Sequence, residues 1–267
     1  MRLVPVPGRI VSGEITLNGA NMLTKSYDDL LAIRWKVMSM VFQGSLSSLN
    51  PLFRVQDQIA EAICAHEPVK PQEAIERTQR LLKMVGIDPS RGSGYPHEMS
   101  GGMKQRVLIA MALACQPEFV IADEPTTALD VNVQAQVLAL LKSLQEKFHL
   151  TMLYISHDLP VIAEFCDAVA VMYAGKLVEY APSKIFFKEP QHPYSVGLLK
   201  AFPRIDGKLE EIISIPGAPP PLISPPAGCR FHPRCQYVMD ICRREEPALV
   251  ETESGHHVAC HLIQKKE

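Results

Sequence analysis

Strands alternating with helices along one chain predict an α/β fold with a mainly parallel sheet. Short apolar runs at 37–42, 118–122, 151–155 and 168–173 read as strands, and helical patterns at 131–147 and 159–165 lie between the later ones. Within the run 118–122, residues 119–122 are continuously apolar, as strands buried on both faces are. At 267 residues, 47% hydrophobic and 21% charged, the chain is long enough to bury a sizeable core.

The elements follow in order. Residues 13–19 alternate apolar and polar and end in Asn18-Gly19, which predicts a strand closing on a tight turn. The run 37–42 is a second strand, with Gln43 at its end. From residue 45 to about 84 the pattern is helical, clearest at 56–65 and 72–85, with Gly86 as the C-cap. A helix running to Cys115 follows the turn at Ser100-Gly101-Gly102, and Ala174-Gly175 turns the chain into a strand at 176–180. From Pro203 prolines cluster, and 203–228 reads as a linker. Residues 229–267 hold four of the seven cysteines and are expected to form a separate small unit.

The net charge of −2 and pI near 6.5 exclude the electrostatic footprint of a nonspecific nucleic-acid binder. The apolar stretch 107–115 falls far short of the roughly 20 residues needed to span a bilayer. The first eight residues lack the apolar core of a signal peptide, so the expected compartment is the cytoplasm, with cysteines reduced or metal-bound.

Two strand ends and one helix start carry chemistry. Asp123 and Glu124 close the strand 118–122 at the edge where open α/β sheets place ligands. One carboxylate can hold Mg²⁺ while its neighbour orients or deprotonates an attacking water. His157 closes the next strand in the same way, which favours a phosphate contact over a structural role. Ser100 is a natural N-cap, and Gly101 and Gly102 let an anion approach the open N–H groups of the helix start. From those three residues alone, an ordinary capped helix is an equal reading.

Taken together and in this order, "MVFQ", "MSGGMKQR", "VIADEPTTALD" and "YISHDL" resemble the ATP-binding-cassette (ABC) ATPases. "SLNPLFRVQDQIAEAI", "HPYSVGLLKAFP" and the cysteine tail narrow the resemblance to ATPase subunits of peptide importers, a group that includes nickel importers. The resemblance implies an ABC-type ATPase domain over 1–202 with a helical subdomain inserted at about 45–115. It implies that Asp123 coordinates Mg²⁺, Glu124 is the catalytic base, His157 contacts the γ-phosphate of ATP, and Gln43 links the metal site to the membrane subunits. Ser100, Gly101 and Gly102 would complete the site on a partner ATPase, with Asp130 near that interface. The implied partners are a homologous second ATPase subunit forming a heterodimer, two integral membrane permease subunits and, indirectly, an extracytoplasmic substrate-binding protein. No nucleic acid is expected, and the place of action is the cytoplasmic face of the membrane.

A phosphate-binding loop G-x-x-x-x-G-K-[ST] does not occur in the sequence. The nearest match, Gly19 to Ser26, has Thr24 in place of the second glycine and aligns with a surface hairpin of the family, so it is rejected. The family places its loop before residues 7–14, and the expectation is an N-terminal truncation, through a misassigned start or a broken gene. The alternative function is then a catalytically impaired subunit that supplies only the Ser-Gly-Gly half-site and an interface. A DNA-repair ABC ATPase fits less well, because no coiled-coil or zinc-hook insertion interrupts the motifs.

Cys229, Cys235, Cys242 and Cys260 are spaced C-x5-C-x6-C-x17-C, in a segment small and polar enough to need a staple. Four thiolates suit an iron–sulfur cluster, and the family resemblance supports [4Fe–4S]. Zinc and unliganded thiols are the other two readings, and His232, His256, His257 and His261 keep mixed ligation open. Cys64, Cys115 and Cys166 fall in apolar helical stretches and read as core.

Overall fold

A computed structural model describes residues 1–43, 48–127, 129–201, 215–253 and 255–264. The expected helical onset at 45 and the first part of the linker, 203–214, lie outside the described residues. The chain forms two compact units, Met1–His157 and Asp158–Glu267.

The first unit opens with a two-residue hairpin, β1 (Thr16–Leu17) and β2 (Ala20–Asn21), shorter than the strand expected at 13–19. Its turn residues Asn18 and Gly19 are both left-handed, at φ 49° and 76°, as an Asn-Gly hairpin requires. Ser26 then caps α1 (Tyr27–Ile33) in a reciprocal box: its Oγ accepts the Asp29 N–H at 3.1 Å, and Asp29 Oδ2 accepts the Ser26 N–H at 3.1 Å. The Gly19–Ser26 stretch is therefore a hairpin exit and a helix start.

Three strands build the parallel sheet: β3 (Met38–Val41), then, after α2 (Val55–His66), α3 (Pro71–Met84) and α4 (Gly101–Ala112), β4 (Phe119–Asp123), and after α5 (Val131–Phe148), β5 (Thr151–Ile155). The order is β3-β4-β5, with Val41 opposite Ala122 and Asp123 opposite Ile155. In-register parallel strands bring all three C-terminal ends to one edge.

The helices between β3 and β4 fold on one another because each presents an apolar stripe. Val55, Ile59 and Ile63 recur every fourth residue on α2 and are fully buried, against Ala74, Leu81 and Leu82 of α3 and Val107 and Ile109 of α4. Each large side chain so buried contributes about 1.5–3 kcal/mol of transfer free energy. Helix α3 starts with Pro71 in its first turn and ends in a Schellman motif, with Gly86 N–H bonded to the Lys83 carbonyl at 3.1 Å and Ile87 N–H to the Leu82 carbonyl at 2.9 Å. Gly86 has φ 75°, so the expected C-cap glycine is in place.

The second unit starts at α6 (Leu159–Phe165), then β6 (Ala168–Tyr173), β7 (Lys176–Pro182), α7 (Ser183–Lys188), α8 (Pro193–Lys200), β8 (Val250–Glu253), β9 (His256–Val258) and α9 (His261–Gln264). Its sheet runs β6-β7-β9-β8 and is antiparallel throughout. Strand β6 thus pairs antiparallel with β7 across the left-handed pair Ala174-Gly175, at φ 48° and 78°. The parallel pattern inferred from the sequence ends at β5.

Residues 229–267 were expected to stand alone, yet β9 pairs with β7, Glu179 opposite Val258. The physical reason is the lack of apolar mass: the extension completes its core with side chains from earlier in the chain. Phe231 packs on Tyr173 and Tyr194 with ring centroids 5.1 and 5.5 Å away. Arg234 donates to the carbonyls of Pro216 at 2.7 Å and Ile215 at 3.1 Å, and Arg230 donates to that of Ala174. At the centre lies Glu179, fully buried, accepting the N–H groups of Gln191 (2.8 Å) and His192 (2.9 Å) and facing His256 Nε2 at 2.8 Å.

Candidate nucleotide site

Asp123 ends β4 with Glu124 next, and Gln43 and His157 lie two residues past the ends of β3 and β5, so the parallel register brings these strand ends to one edge. Glu124 is where they meet. Its backbone is left-handed at φ 43°, an uncommon state for a glutamate, and is held by its N–H on the Ile155 carbonyl (2.9 Å) and its carbonyl under the Thr127 N–H (3.2 Å). The turn aims the carboxylate at three donors. Oε2 accepts from Gln43 Nε2 at 2.7 Å and from Thr127 Oγ1 at 2.9 Å, and Oε1 lies 3.1 Å from His157 Nδ1.

These contacts, His157 first and Thr127 next, hold the Glu124 carboxyl below the usual glutamate range, so it is ionised at neutral pH. The His157 side chain is 78% exposed, against 22% for Glu124. The imidazole therefore covers the carboxylate from the solvent side. Thr127 was not singled out from the sequence.

A second locus lies at the start of α4. Ser100 Oγ accepts the Met103 N–H at 3.3 Å, as an N-cap should. A Cβ on Gly102 would sit 2.5 Å from Val133 Cγ1, so the helix start rests directly on α5. Asp130 caps α5 by accepting the Val133 N–H at 3.0 Å. The expected interface residue Asp130 thus has a structural duty, and the positive ends of two helices abut.

In the second unit all seven cysteines of the chain being free thiols leaves four of them in the extension without disulfides. Burial, then neighbouring thiols, push Cys229 and Cys260 up, Cys260 to about 11; Cys235 rises for the same reasons. Cys229 N–H also bonds to the Cys242 carbonyl at 2.9 Å. The donors are right in number and kind for a cluster, but among the described residues no group of three or more His, Cys, Asp or Glu is placed to hold a metal ion.

Of the nearby histidines, His232 Nδ1 faces the Cys229 carbonyl, His261 Nε2 the Glu245 carbonyl, and His256 Nε2 pairs with Glu179. His257 lies against Tyr180, 5.9 Å between centroids. Cys64, expected in the core, is exposed, because it lies beside the Ile59–Ile63 stripe of α2 and outside it; Cys115 is buried as expected and Cys166 is half-buried.

A family profile described as "ABC transporter" matches residues 6–127, and one described as "Oligopeptide/dipeptide transporter, C-terminal region" matches 178–242. The chain belongs to the ATP-binding subunits of ABC transporters, a family of ATPases, in its oligopeptide/dipeptide branch. It is similar to the dipeptide transport ATP-binding protein DppD of Caldanaerobacter subterraneus subsp. tengcongensis, 42% identical over 99% of this chain and 82% of that protein. It is likewise similar to the oligopeptide transport ATP-binding protein OppD of Escherichia coli, 46% identical over 97% of this chain and 77% of that protein. Among solved structures, the ADP- and Pi-bound dimer of the ATP-binding cassette MJ0796 superposes with TM-score 0.57 at 28% identity, over 64% of this chain and 74% of that one. No helix among the described residues is long and apolar enough to cross a membrane.

Proposed function

We propose that the chain is the ATP-binding subunit of an importer that couples ATP hydrolysis to the uptake of oligopeptides or dipeptides. The observation that carries the reading is the meeting of Gln43, Glu124 and His157 at one edge of a parallel sheet, all within 3.1 Å of a single carboxylate. Water attacks the γ-phosphorus, Glu124 accepts its proton, and the bond to the β-phosphate oxygen breaks. Thr127 keeps the carboxylate aimed, and His157 turns to the transferred phosphoryl group. Asp123 would hold Mg²⁺, which would offset phosphate charge when bound; one carboxylate, substrate phosphates and several waters are its usual ligands. Gln43 reports the state of this edge to the permeases.

Ser100, Gly101 and Gly102 act on ATP held by a homologous second ATPase, with Asp130 beside that interface. The assembly further includes two membrane permeases, with this chain at their cytoplasmic face, and an extracytoplasmic binding protein that delivers substrate.

The test is MgATP turnover of the transporter complex purified through a tag on this chain. Glu124→Gln is expected to lower turnover at least about 100-fold; unchanged turnover sinks the base assignment. For the extension we propose a [4Fe–4S] cluster, supported by its four-thiol donor set and requiring the four thiols to draw together. Iron and sulfide analysis of anaerobically purified chain checks it, and an iron content near zero rejects it.

A further inference from the structure

Arg106 lies on α4 six residues beyond Ser100, about 9 Å along the helix axis. Its guanidinium reaches two neighbouring helices at once. Nη1 donates to the Val85 carbonyl at 2.9 Å, at the negative end of α3. Nη2 donates to Gln136 Oε1 on α5 at 3.1 Å.

The site on α3 is shaped for this contact. The Schellman bonds satisfy the carbonyls of Leu82 and Lys83, while that of Val85 is met by Arg106. A Cβ on Gly86, next in the chain, would lie 2.8 Å from Arg106 Nη1, so a side chain there would push the guanidinium off its place. The glycine suits the positive φ and also leaves the guanidinium its room. On the α5 side, Gly102 rests on Val133, three residues before Gln136. The first turns of α4 are therefore fixed at two heights against α5, and at one of these also against α3.

We infer that Arg106 is the positioning residue of the Ser100-Gly101-Gly102 turn, setting the angle at which the open N–H groups of α4 are presented. This rests on the reading that the turn serves a nucleotide. A lysine cannot replace it, since a single ammonium has no rigid fork with which to donate in both directions.

Two measurements test it. In the isolated chain, hydrogen exchange of the Met103 and Lys104 amides is expected to rise about tenfold in Arg106→Ala, with amides of β4 and mid-α3 unchanged. A uniform rise would mean general destabilisation, and no rise would mean no clamp; either overturns the inference. In the tagged transporter complex, Arg106→Ala is expected to lower kcat for MgATP about tenfold with KM within about twofold. Arg106→Lys should recover only part of this loss, Gln136→Ala should cost less, and the double variant should be no worse than Arg106→Ala alone. Wild-type kcat in Arg106→Ala also overturns the inference. Gly101→Asp separates the two levels: wild-type turnover there defeats the nucleotide reading of the turn, while the exchange measurement still decides whether Arg106 positions it.

Discussion

Glu124 combines a strained backbone with a saturated carboxylate, so each donor around it has a separable effect. Thr127 lowers its pKa through the 2.9 Å bond to Oε2; removing the hydroxyl lets the pKa rise. A base works ionised, so Thr127→Val should move the acid limb of the kcat profile to higher pH, and Thr127→Ser should restore it. A pH–rate profile of the three complexes checks this. The meeting of Gln43, Glu124 and His157 was legible in the sequence because each lies within two residues of a strand's C-terminal end, and parallel register turns that into proximity. Thr127 was not. In "PTTALD" nothing distinguishes the threonine that is buried, Thr126, from the exposed one that turns to the carboxylate. Arg106 escaped for a similar reason: its partners are a backbone carbonyl and a glutamine from distant helices, neither of which leaves a pattern in sequence.

At the scale of elements, helix ends depend on their caps. His192 Nδ1 accepts the Tyr194 N–H at 3.0 Å at the start of α8, and burial pushes this histidine down to about 4, with nearby Glu179 opposing. Between pH 6.5 and 4 the unfolded chain therefore binds a proton that the native one refuses, and stability falls as pH drops through that window. The contribution lost between pH 7.5 and pH 5 is about 2 kcal/mol. His192→Asn keeps a capping side chain and removes the titration, so urea melts of the two proteins should differ by that amount in their pH dependence. The bounds of α2, α3, α5 and β5 were readable to within a residue, whereas α4 stops at Ala112, three residues before the expected end at Cys115. The partner of β6 was not readable, because an apolar run of six residues is the same whether its neighbour is parallel or antiparallel.

Across the whole molecule, the sequence marked where the extension begins but not what it leans on. Composition shifts at the prolines, whereas the pairing of β9 with β7 depends on Glu179, some 77 residues before His256. Removing the carboxylate should strand two backbone N–H groups and an imidazole in the interior. Glu179→Ala is expected to cost about 3 kcal/mol and to make residues 229–264 accessible to limited proteolysis; an unchanged digestion pattern would show that the aromatic cluster alone holds the extension. The Gln43–Glu124 bond spans 81 residues, 38 of which lie in α2, α3 and α4 between β3 and β4. Closing so long a loop from an open chain costs about 4 kcal/mol of entropy, whereas the α2–α3 pair closes through local contacts. Packing α2, α3 and α4 on one another shortens the path from β3 to β4, so the edge carrying Gln43 and Glu124 is expected to form after those helices; pulse-labelled hydrogen exchange showing β3 and β4 protected first would overturn that order.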